Sequence, residues 1–546
     1  LTARQYEEYD YYIEESGGVF YARPSPNSSL TAYSDATLHS VFNDAVTAVD
    51  AVGRGTILIK EGSYNLTGRM DMVNVSNITV RGIGDVTITK AVDDESSTPR
   101  ALLFLSGAVE NIKISNLKLI NTSVNAEEKN QGCLMIWAEY PDYLNAENII
   151  IEECTFSTEN CNMRGIQVFA TPASCTINNL RIVNNRFVDI YNMATEVLNQ
   201  ETPYVHDKVT NCYYSQNYVE NCGAGFSFGG AQTRIDVSHN QFYEVSSGAI
   251  ETGSITNATI IGNTLINETA DGGFLTTSSY FGGCYNMIIQ GNIAKCHTDS
   301  PDGYSEKGIY IFQADSVLIN NNIIYAERPE IKASNNVMFT NNQVITTGRS
   351  ALIVFDASTN CHISDNFFDN TDCYGGINQG TLFFSGAGTT NNTAIGNVFT
   401  DAGGDGIIVE GNSATGNAYD DNWDITNGTF IANSGSGRAV QYTGDGVSVD
   451  FGAADLTTTG SVTLPTTTSI GDVSSTEIGY VNNVTSSIQT QLTARQYEEY
   501  DYYIEESGGT VYARPSPNTS LTAYSDALLS EVLTDAMGEL TTGGKI

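Results

Sequence analysis

The sequence has little positive charge, few cysteines and no long apolar run. Its 546 residues contain 25 Lys and Arg against 63 Asp and Glu, which gives a net charge of −38 at pH 7. A surface of this sign repels nucleic acid and anionic membranes, so we expect no nucleic-acid partner. No stretch approaches the roughly 18 consecutive apolar residues of a transmembrane helix, and we expect no membrane insertion.

Cysteine and histidine are also scarce. The ten cysteines show no C-x-x-C spacing, and the five histidines are scattered, so no zinc site or cofactor is expected. Local disulfides in an oxidising compartment and small buried thiols both account for the close cysteine pairs. These pairs are Cys212/Cys222, Cys284/Cys296 and Cys361/Cys373.

A long repeat connects the two ends of the sequence. The residues LTARQYEEYDYYIEESGG begin at Leu1 and return at Leu492, an offset of 491 residues. A fixed period indicates tandem modules, so we interpret the chain as a window from an array. A single module with duplicated terminal adaptors is the alternative. The array predicts that residues 492–546 adopt the structure of residues 1–55.

A shorter rhythm begins at about residue 110. An apolar strand, a polar pair ending in Asn and a second apolar strand recur every 20 to 32 residues. This pattern predicts a parallel β-helix of about twelve coils, because each coil is stable only when stacked on its neighbours. Asn tolerates the left-handed conformation of a sharp corner and can bond to the Asn of the next coil. We expect one corner to stack Asn185, Asn217, Asn240, Asn263, Asn292, Asn322, Asn342, Asn366, Asn397 and Asn417.

An amphipathic helix precedes these coils. Ala36, Leu38, Val41, Phe42, Ala45, Val46 and Val49 recur at helical spacing before Gly53 and Gly55. This helix, followed by the pattern G-x-G-T-I-x-I-x-x-G-x-Y, resembles the opening of pectate-lyase-like right-handed β-helices, including phage tailspikes. The resemblance covers roughly residues 33–430 and implies an all-β, right-handed solenoid whose first coil is capped by the helix. It implies less about activity, because the fold serves lyases, hydrolases and binding proteins.

The segment TEIGYVNNVTSSIQTQL carries a second resemblance, to the fibre and collar proteins of tailed phages. Its apolar residues lie three or four positions apart, as in a coiled-coil seam. The resemblance implies a homotrimer formed through this seam, and a helix that packs on its own module is the alternative. The seam residues are Val481, Val484, Ile488 and Leu492.

These patterns divide the chain into six segments. Residues 1–32 are a connector or neck, 33–55 the capping helix and 56–430 the β-helix. Residues 431–475 form a Gly/Ser/Thr-rich β element and linker. Residues 476–510 are a helical connector, and 511–546 begin the next repeat. Tyr6, Tyr9 and Tyr12, with Ile13, are expected to mark one face of a helix.

Two places offer carboxylates for glycan cleavage, which needs paired acids or a base beside a cation. The first contains Arg234, Asp236, His239, Glu244 and Glu251, and the second contains His297, Asp299, Asp302, Glu306 and Lys307. We take Asp236, Glu251, Asp299 and Glu306 as candidate catalytic residues. Solvated loops and satisfied turns are the alternative at both places. Asp299 and Asp302 also offer oxygen ligands for a surface Ca²⁺.

Lengthened coils concentrate aromatic residues that suit stacking on sugar rings. The candidate binding residues are Trp137, Tyr140, Tyr143, Tyr280, Phe281 and Tyr285. Packing of these rings on the helix flank or between chains is the alternative.

Together these features predict an adhesive, glycan-binding module of a repeated extracellular or virion fibre. The motifs of the polygalacturonase branch (G-H-G and R-x-K) are absent, which argues against that branch. A polysaccharide depolymerase remains an alternative, because tailspike depolymerases have more divergent sites. A cellular surface filament is a further alternative, because it could use the same parts as a phage fibre.

Overall fold

A computed structural model describes most of the chain, which divides into two units, Leu1–Gly444 and Asp445–Ile546. The described residues are 8–26, 28–91, 100–122, 131–138, 144–159, 161–170, 175–199, 208–278, 283–297, 307–326, 328–346, 351–370, 381–401, 408–411, 414–425, 429–432, 440–442, 501–515 and 520–540.

The first unit is a parallel β-helix of about thirteen coils, which confirms the predicted fold class. Each coil contributes a strand to each of three parallel sheets, named A, B and C, and five long strands bend from one sheet into the next. Apolar side chains alternate inward along the strands and form one continuous core.

The strand bounds follow the coils in order. Sheet A contains Gly55–Leu66, Ile78–Lys90, Arg100–Ser115, Leu144–Glu152, Thr176–Val183, Val209–Ser215, Gln232–Ser238, Ile255–Ile261, Cys284–Gln290, Ala314–Asn320, Asn335–Thr340, His362–Ser364, Thr393–Ile395 and Ala418–Asp420. Sheet B contains the second halves of the first two of these strands, then Lys118–Asn121, Thr155–Ser157, Arg186–Asn199, Tyr218–Gly229, Gln241–Val245, Thr264–Ile266, Ile293–Lys295, Ile323–Ala326, Gln343–Thr346, Phe367–Asn370, Val398–Asp401 and Asn422–Asp424. Sheet C contains Met70–Val73, the start of Arg100–Ser115, Gln131–Ala138, Arg164–Ala170, the ends of Arg186–Asn199 and Tyr218–Gly229, then Gly248–Gly253, Gly273–Ser278, Ile309–Phe312, Glu330–Lys332, Leu352–Phe355, Leu382–Ser385 and Ile408–Gly411.

A buried column of Asn side chains runs along the corner between sheets A and B. Each side-chain amide donates to the oxygen of the next Asn and to a backbone carbonyl of the preceding coil, as Asn217 does to Asn240 at 2.9 Å and to Ile182 at 2.8 Å. The predicted stacking is therefore confirmed from Asn185 to Asn397. The last prediction was wrong, because Asn397 bonds to Asn422, whereas Asn417 bonds to Asn392 in a separate stack.

The left-handed residue of this corner precedes the stacked Asn rather than being it. The preceding residues have φ between 50° and 67°: Asn184, Gln216, His239, Gly262, Gly291, Asn321, Asn341, Asp365, Gly396 and Asp421. The stacked Asn enters the core instead, where its side chain bonds to the corner's backbone groups. This division of roles corrects the expectation that the stacked Asn adopts the left-handed conformation.

The β-helix opens with what we call the first cap, residues 8–51. Strands Tyr11–Ser16, Val19–Pro24 and Tyr33–Asp35 precede the helix Leu38–Ala51, which is the predicted capping helix. Tyr11–Ile13 pairs in parallel with Ile57–Ile59 of the first coil. The helical interpretation of Tyr12 and Ile13 was wrong, because Tyr11 and Ile13 alternate inward as a strand and are buried.

At the other end, strand Thr429–Ala432 pairs antiparallel with Asn422–Asp424, and Val440–Tyr442 pairs antiparallel with Thr429–Ala432. Within the second unit, strands Tyr502–Ser507, Thr510–Pro515 and Tyr524–Asp526 precede the helix Leu529–Glu539. We call residues 501–540 the second cap. The predicted helical connector was wrong over Tyr502–Ser507, which pairs with Thr510–Pro515 as a hairpin. Residues 443–500 lie outside the described residues.

Candidate functional site

The structure does not bring the sequence-predicted catalytic residues together. Glu251 lies on a strand of sheet C, whereas Asp236 lies on a strand of sheet A, where its carboxylate accepts from Ser238 at 2.6 Å and Thr259 at 3.0 Å. Asp299 and Glu306 fall outside the described residues. Of the two candidates among the described residues, Glu251 is therefore the one on sheet C.

The neighbouring Glu244 is a structural anchor. Its carboxylate accepts the backbone N–H groups of Glu268, Thr269 and Ala270 and the Thr269 hydroxyl, at distances of 2.7–3.1 Å. Burial acts to raise the pKa of Glu244, but these hydrogen bonds outweigh it and lower the pKa. Glu244 therefore stabilises a turn and is not a free catalytic carboxylate.

The candidate aromatic residues are also separated. Trp137 is buried and stacks on Phe169 with ring centroids 4.1 Å apart, so its ring faces are used in packing. Tyr285 is 45% exposed, but it lies on sheet A. Tyr140, Tyr143, Tyr280 and Phe281 lie outside the described residues, as do the seam residues Val481, Val484, Ile488 and Leu492.

Sheet C carries polar side chains outward in register along the axis. We call these residues the central row, because strand pairing places each one directly beside the next: Gln167, Glu196, Ser227, Glu251, Thr276, Tyr310 and Glu330. Their chain neighbours Ile166, Ile250 and Ile311 point the other way into the core. Adjacent coils are about 4.8 Å apart, so the row spans about 29 Å.

A closed ion pair occupies the first part of the row. Arg164 and Glu196 are 9% and 6% exposed at their side chains, and their guanidinium and carboxylate are in direct contact. Gln167 donates its amide N–H to the same carboxylate at 2.8 Å. This cluster is structural in character, since a buried carboxylate is tolerated only with such partners.

Glu251 lies two coils along the row and is less enclosed. Burial raises the pKa of the Glu251 carboxyl, and the charge of Glu196 acts in the same direction. Hydrogen bonds from Ser247, at 2.9 Å, and from Ser227 oppose that rise only in part. A raised pKa keeps the Glu251 carboxyl protonated to a higher pH than usual, which is what a proton donor requires.

The row continues into a half-exposed aromatic surface. Tyr310 and Phe312 have nearly parallel rings with centroids 5.8 Å apart, and Lys307 lies 3.9 Å from the Tyr310 centroid. Lys332 lies between Phe312 and Phe355, at 5.5 and 5.0 Å from their centroids. Flat rings beside cations offer stacking and ionic contacts to a sugar chain.

Glu330 holds these cations in place. Its buried carboxylate accepts Lys307 at 2.7 Å and contacts Arg328, while Lys332 pairs with Asp356 at 3.3 Å. Three cations therefore meet two carboxylates on a chain whose net charge is −38. The surface is thus a local exception to the acidic character of the protein.

Beside Glu251 the sheet has less side-chain bulk. The next outward position after Ser227 on its strand is Gly229, and the next after Glu251 is Gly253. The corresponding positions elsewhere on sheet C carry Trp137, Phe169 and Phe312. Glycine at these two positions removes side-chain bulk from this part of the outward face, and both glycines are themselves buried.

The nine described cysteines are free thiols, so the described close pairs Cys212/Cys222 and Cys284/Cys296 are not disulfides. Cys373, the partner proposed for Cys361, lies outside the described residues. Burial raises the pKa of Cys212 and Cys222 to about 12, as expected for inert packing thiols. The described part of the chain contains no group of three or more metal-binding side chains.

A protein-family comparison supports the fold, and several solved structures align with the chain at low similarity. A family model for the right-handed β-helix region matches residues 302–430, which gives the hand of the coil. The catalytic domain of Agl-KA aligns with 69% of the chain and 62% of its own, at 14% identity and a TM-score of 0.43. The A-module of a mannuronan C-5 epimerase from Azotobacter vinelandii aligns over 71% of this chain and 94% of its own, at 13% identity and a TM-score of 0.36. A tailspike domain of bacteriophage CBA120 aligns over 77% of this chain and 50% of its own, at 10% identity and a TM-score of 0.28.

These structural similarities are too low to assign an activity. The chain spans about three fifths of the Agl-KA domain and half of the tailspike domain. No curated protein matches the chain in sequence. Neither helix of the described residues has the length and apolar character needed to cross a bilayer.

Proposed function

We propose that the chain binds a polysaccharide along the outward face of sheet C, as an adhesive module of an extracellular or virion fibre. The observation that supports this most is the half-exposed surface of Tyr310, Phe312 and Phe355, with Lys307 over the Tyr310 ring and Lys332 between the two Phe rings. It adjoins Thr276 and Glu251, so the open part of the face is a strip parallel to the helix axis. The cations favour a glycan that carries acidic groups.

Glycan binding should depend on this strip. Tyr310→Ala is expected to weaken the affinity of the full chain for its polysaccharide about tenfold, because one ring face is worth about 1.4 kcal/mol. Candidate glycans are identified on an array of host-surface polysaccharides, and affinity is then measured by calorimetry. Tyr191, which is 62% exposed and outside the strip, supplies the control variant Tyr191→Ala. An equal loss in both variants, or no loss in Tyr310→Ala, would contradict the proposal.

A second candidate function is cleavage of the bound glycan, favoured by the raised pKa of Glu251. Two coil spacings separate Glu251 from Glu196 by about 10 Å between their Cα atoms. Glu251 would protonate the leaving oxygen as a general acid, whereas Glu196 stays engaged by Arg164 and Gln167.

Cleavage should depend on Glu251 in its protonated form. Glu251→Gln is expected to reduce the release of new reducing ends by about 10²-fold or more. The rate of the unmodified chain should fall as pH rises through the raised pKa of Glu251, because the acid then loses its proton. Asp236→Asn, on sheet A, is the control and should leave the rate within about twofold. Binding without any new reducing ends would leave adhesion as the function.

The fibre part of the proposal is supported by the repeated cap sequence. Trimer formation through Val481, Val484, Ile488 and Leu492, a virion location and a surface Ca²⁺ at Asp299 and Asp302 stay predictions from the sequence, because these residues lie outside those described.

A further inference from the structure

The second cap repeats the first at an offset of 491 residues. Strand Tyr502–Ser507 corresponds to Tyr11–Ser16, and helix Leu529–Glu539 to the start of Leu38–Ala51. The Tyr11 hydroxyl donates to the carbonyl of Thr31 at 2.7 Å, and the Tyr502 hydroxyl to that of Thr522 at 2.8 Å. Val532 and Ala536, the equivalents of Val41 and Ala45, are likewise fully buried. The two caps therefore share one internal packing.

The caps differ on the helix face that meets the β-helix. In the first cap, Leu38 and Val46 are 0% and 2% exposed, and their helix contacts the strands Gly55–Leu66 and Met70–Val73. Their equivalents Leu529 and Met537 are 51% and 65% exposed. The second cap therefore presents an apolar face that the first cap buries.

The substitutions between the copies keep this face apolar. Phe42, Val46 and Val49 become Leu533, Met537 and Leu540. By contrast, Ala48, at a partly buried position, becomes Glu539, whose carboxylate accepts the Thr522 backbone N–H at 2.9 Å. Exposed apolar side chains in such a set indicate a surface that is covered by a partner.

A strand edge lies beside this face. In the first cap, Tyr11–Ile13 pairs on one side with Val19–Pro24 and on the other with Ile57–Ile59. Among the described residues, the sheet of the second cap has three strands, and Tyr502–Ser507 is at its edge. Both features that receive the first coil in the first cap are thus repeated, in the same arrangement.

We propose that the second cap is a docking site for the first coil of a further β-helix, through a strand with the sequence of Gly55–Leu66. That strand adds in parallel to the edge of Tyr502–Ser507, and its coil covers Leu529 and Met537. The register follows the pairs Tyr11/Ile57 and Ile13/Ile59, so the occupant's Ile57 and Ile59 lie beside Tyr502 and Ile504. This inference deepens the fibre part of the proposed function and is independent of glycan binding.

The test extends the full chain directly after Ile546 with a copy of residues 56–122, which is the register that the 491-residue offset defines. Met537→Cys is introduced in both the extended and the unextended chain as an alkylation probe. We expect the extension to slow alkylation of this probe, and amide exchange over Tyr502–Ser507, by about tenfold or more. The matched control carries Ile57→Asp and Ile59→Asp in the added copy alone, and should alkylate as fast as the unextended chain.

Two results would overturn the inference. One is equal alkylation of the extended chain and the Asp control. The other is protection already present in the unextended chain together with a dimer in sedimentation, which would show that a second copy covers the face. Glycan affinity of the unextended chain, measured in parallel, reports on the proposed function separately.

Discussion

Replacing Asn263 with alanine is expected to lower the free energy of unfolding of the β-helix by about 3–5 kcal/mol. The Asn263 side chain is fully buried, and its oxygen accepts the backbone and side-chain N–H groups of Asn240, both at 2.9 Å. Its amide donates to Val237 at 2.8 Å and to Asn292 at 3.1 Å. Alanine would leave these buried groups unpaired in the middle of the column. Denaturant unfolding followed by circular dichroism measures the change.

Asn320→Ala is the matched control, because the Asn320 side-chain oxygen accepts only a long bond of 3.4 Å from Asn341 among the described contacts. It should change the unfolding free energy by less than about 1 kcal/mol. If Asn263→Ala were as mild as Asn320→Ala, the buried column would not be a main determinant of stability.

Replacing Arg164 with leucine should also lower the free energy of unfolding by about 3–5 kcal/mol, because it leaves the Glu196 carboxylate buried without its cation. Adding Glu196→Gln to Arg164→Leu should recover most of the lost unfolding free energy, because the uncompensated charge is then gone. The two variants and their combination form a double-mutant cycle measured by denaturant unfolding.

An exposed ion pair provides the contrast. Lys113 and Glu152 are 2.7 Å apart, with side chains 43% and 28% exposed. Lys113→Ala should lower the free energy of unfolding by at most about 1 kcal/mol, because water solvates the remaining carboxylate. A cost for Arg164→Leu within that range, or no recovery in the double variant, would contradict a structural role for the Arg164–Glu196 pair.

The column and the capping helix were predictable from the sequence because both depend on local periodicity. Asn185 to Asn397 recur once per coil, and Leu38 to Val49 recur at helical spacing, so neither needs knowledge of distant contacts. Asn417 was misassigned because the last coil contains two Asn residues at nearby positions, and only strand register separates them. Tyr12 and Ile13 fit a helical face with Tyr6 and Tyr9 by spacing alone. The pairing of Tyr11–Ile13 with Ile57–Ile59 makes this segment a strand instead.

The central row was not predictable, apart from Glu251. Glu196, Thr276 and Tyr310 stand at irregular distances along the chain, because loops of different length separate the coils, and only inter-coil pairing aligns them. Asp236 and Glu251 are close in sequence yet lie on different sheets for the same reason. The signal that could have helped is a charged residue between two buried neighbours, as Glu251 stands between Ile250 and Thr252.

The most direct test of a glycan site on sheet C is a crystal structure of the full chain with an oligosaccharide from the polysaccharide that it binds. We expect sugar rings over Tyr310 and Phe312, with the glycan extending past Thr276 toward Glu251. An oligosaccharide bound on sheet A, for example against the exposed ring of Tyr285, would contradict this expectation.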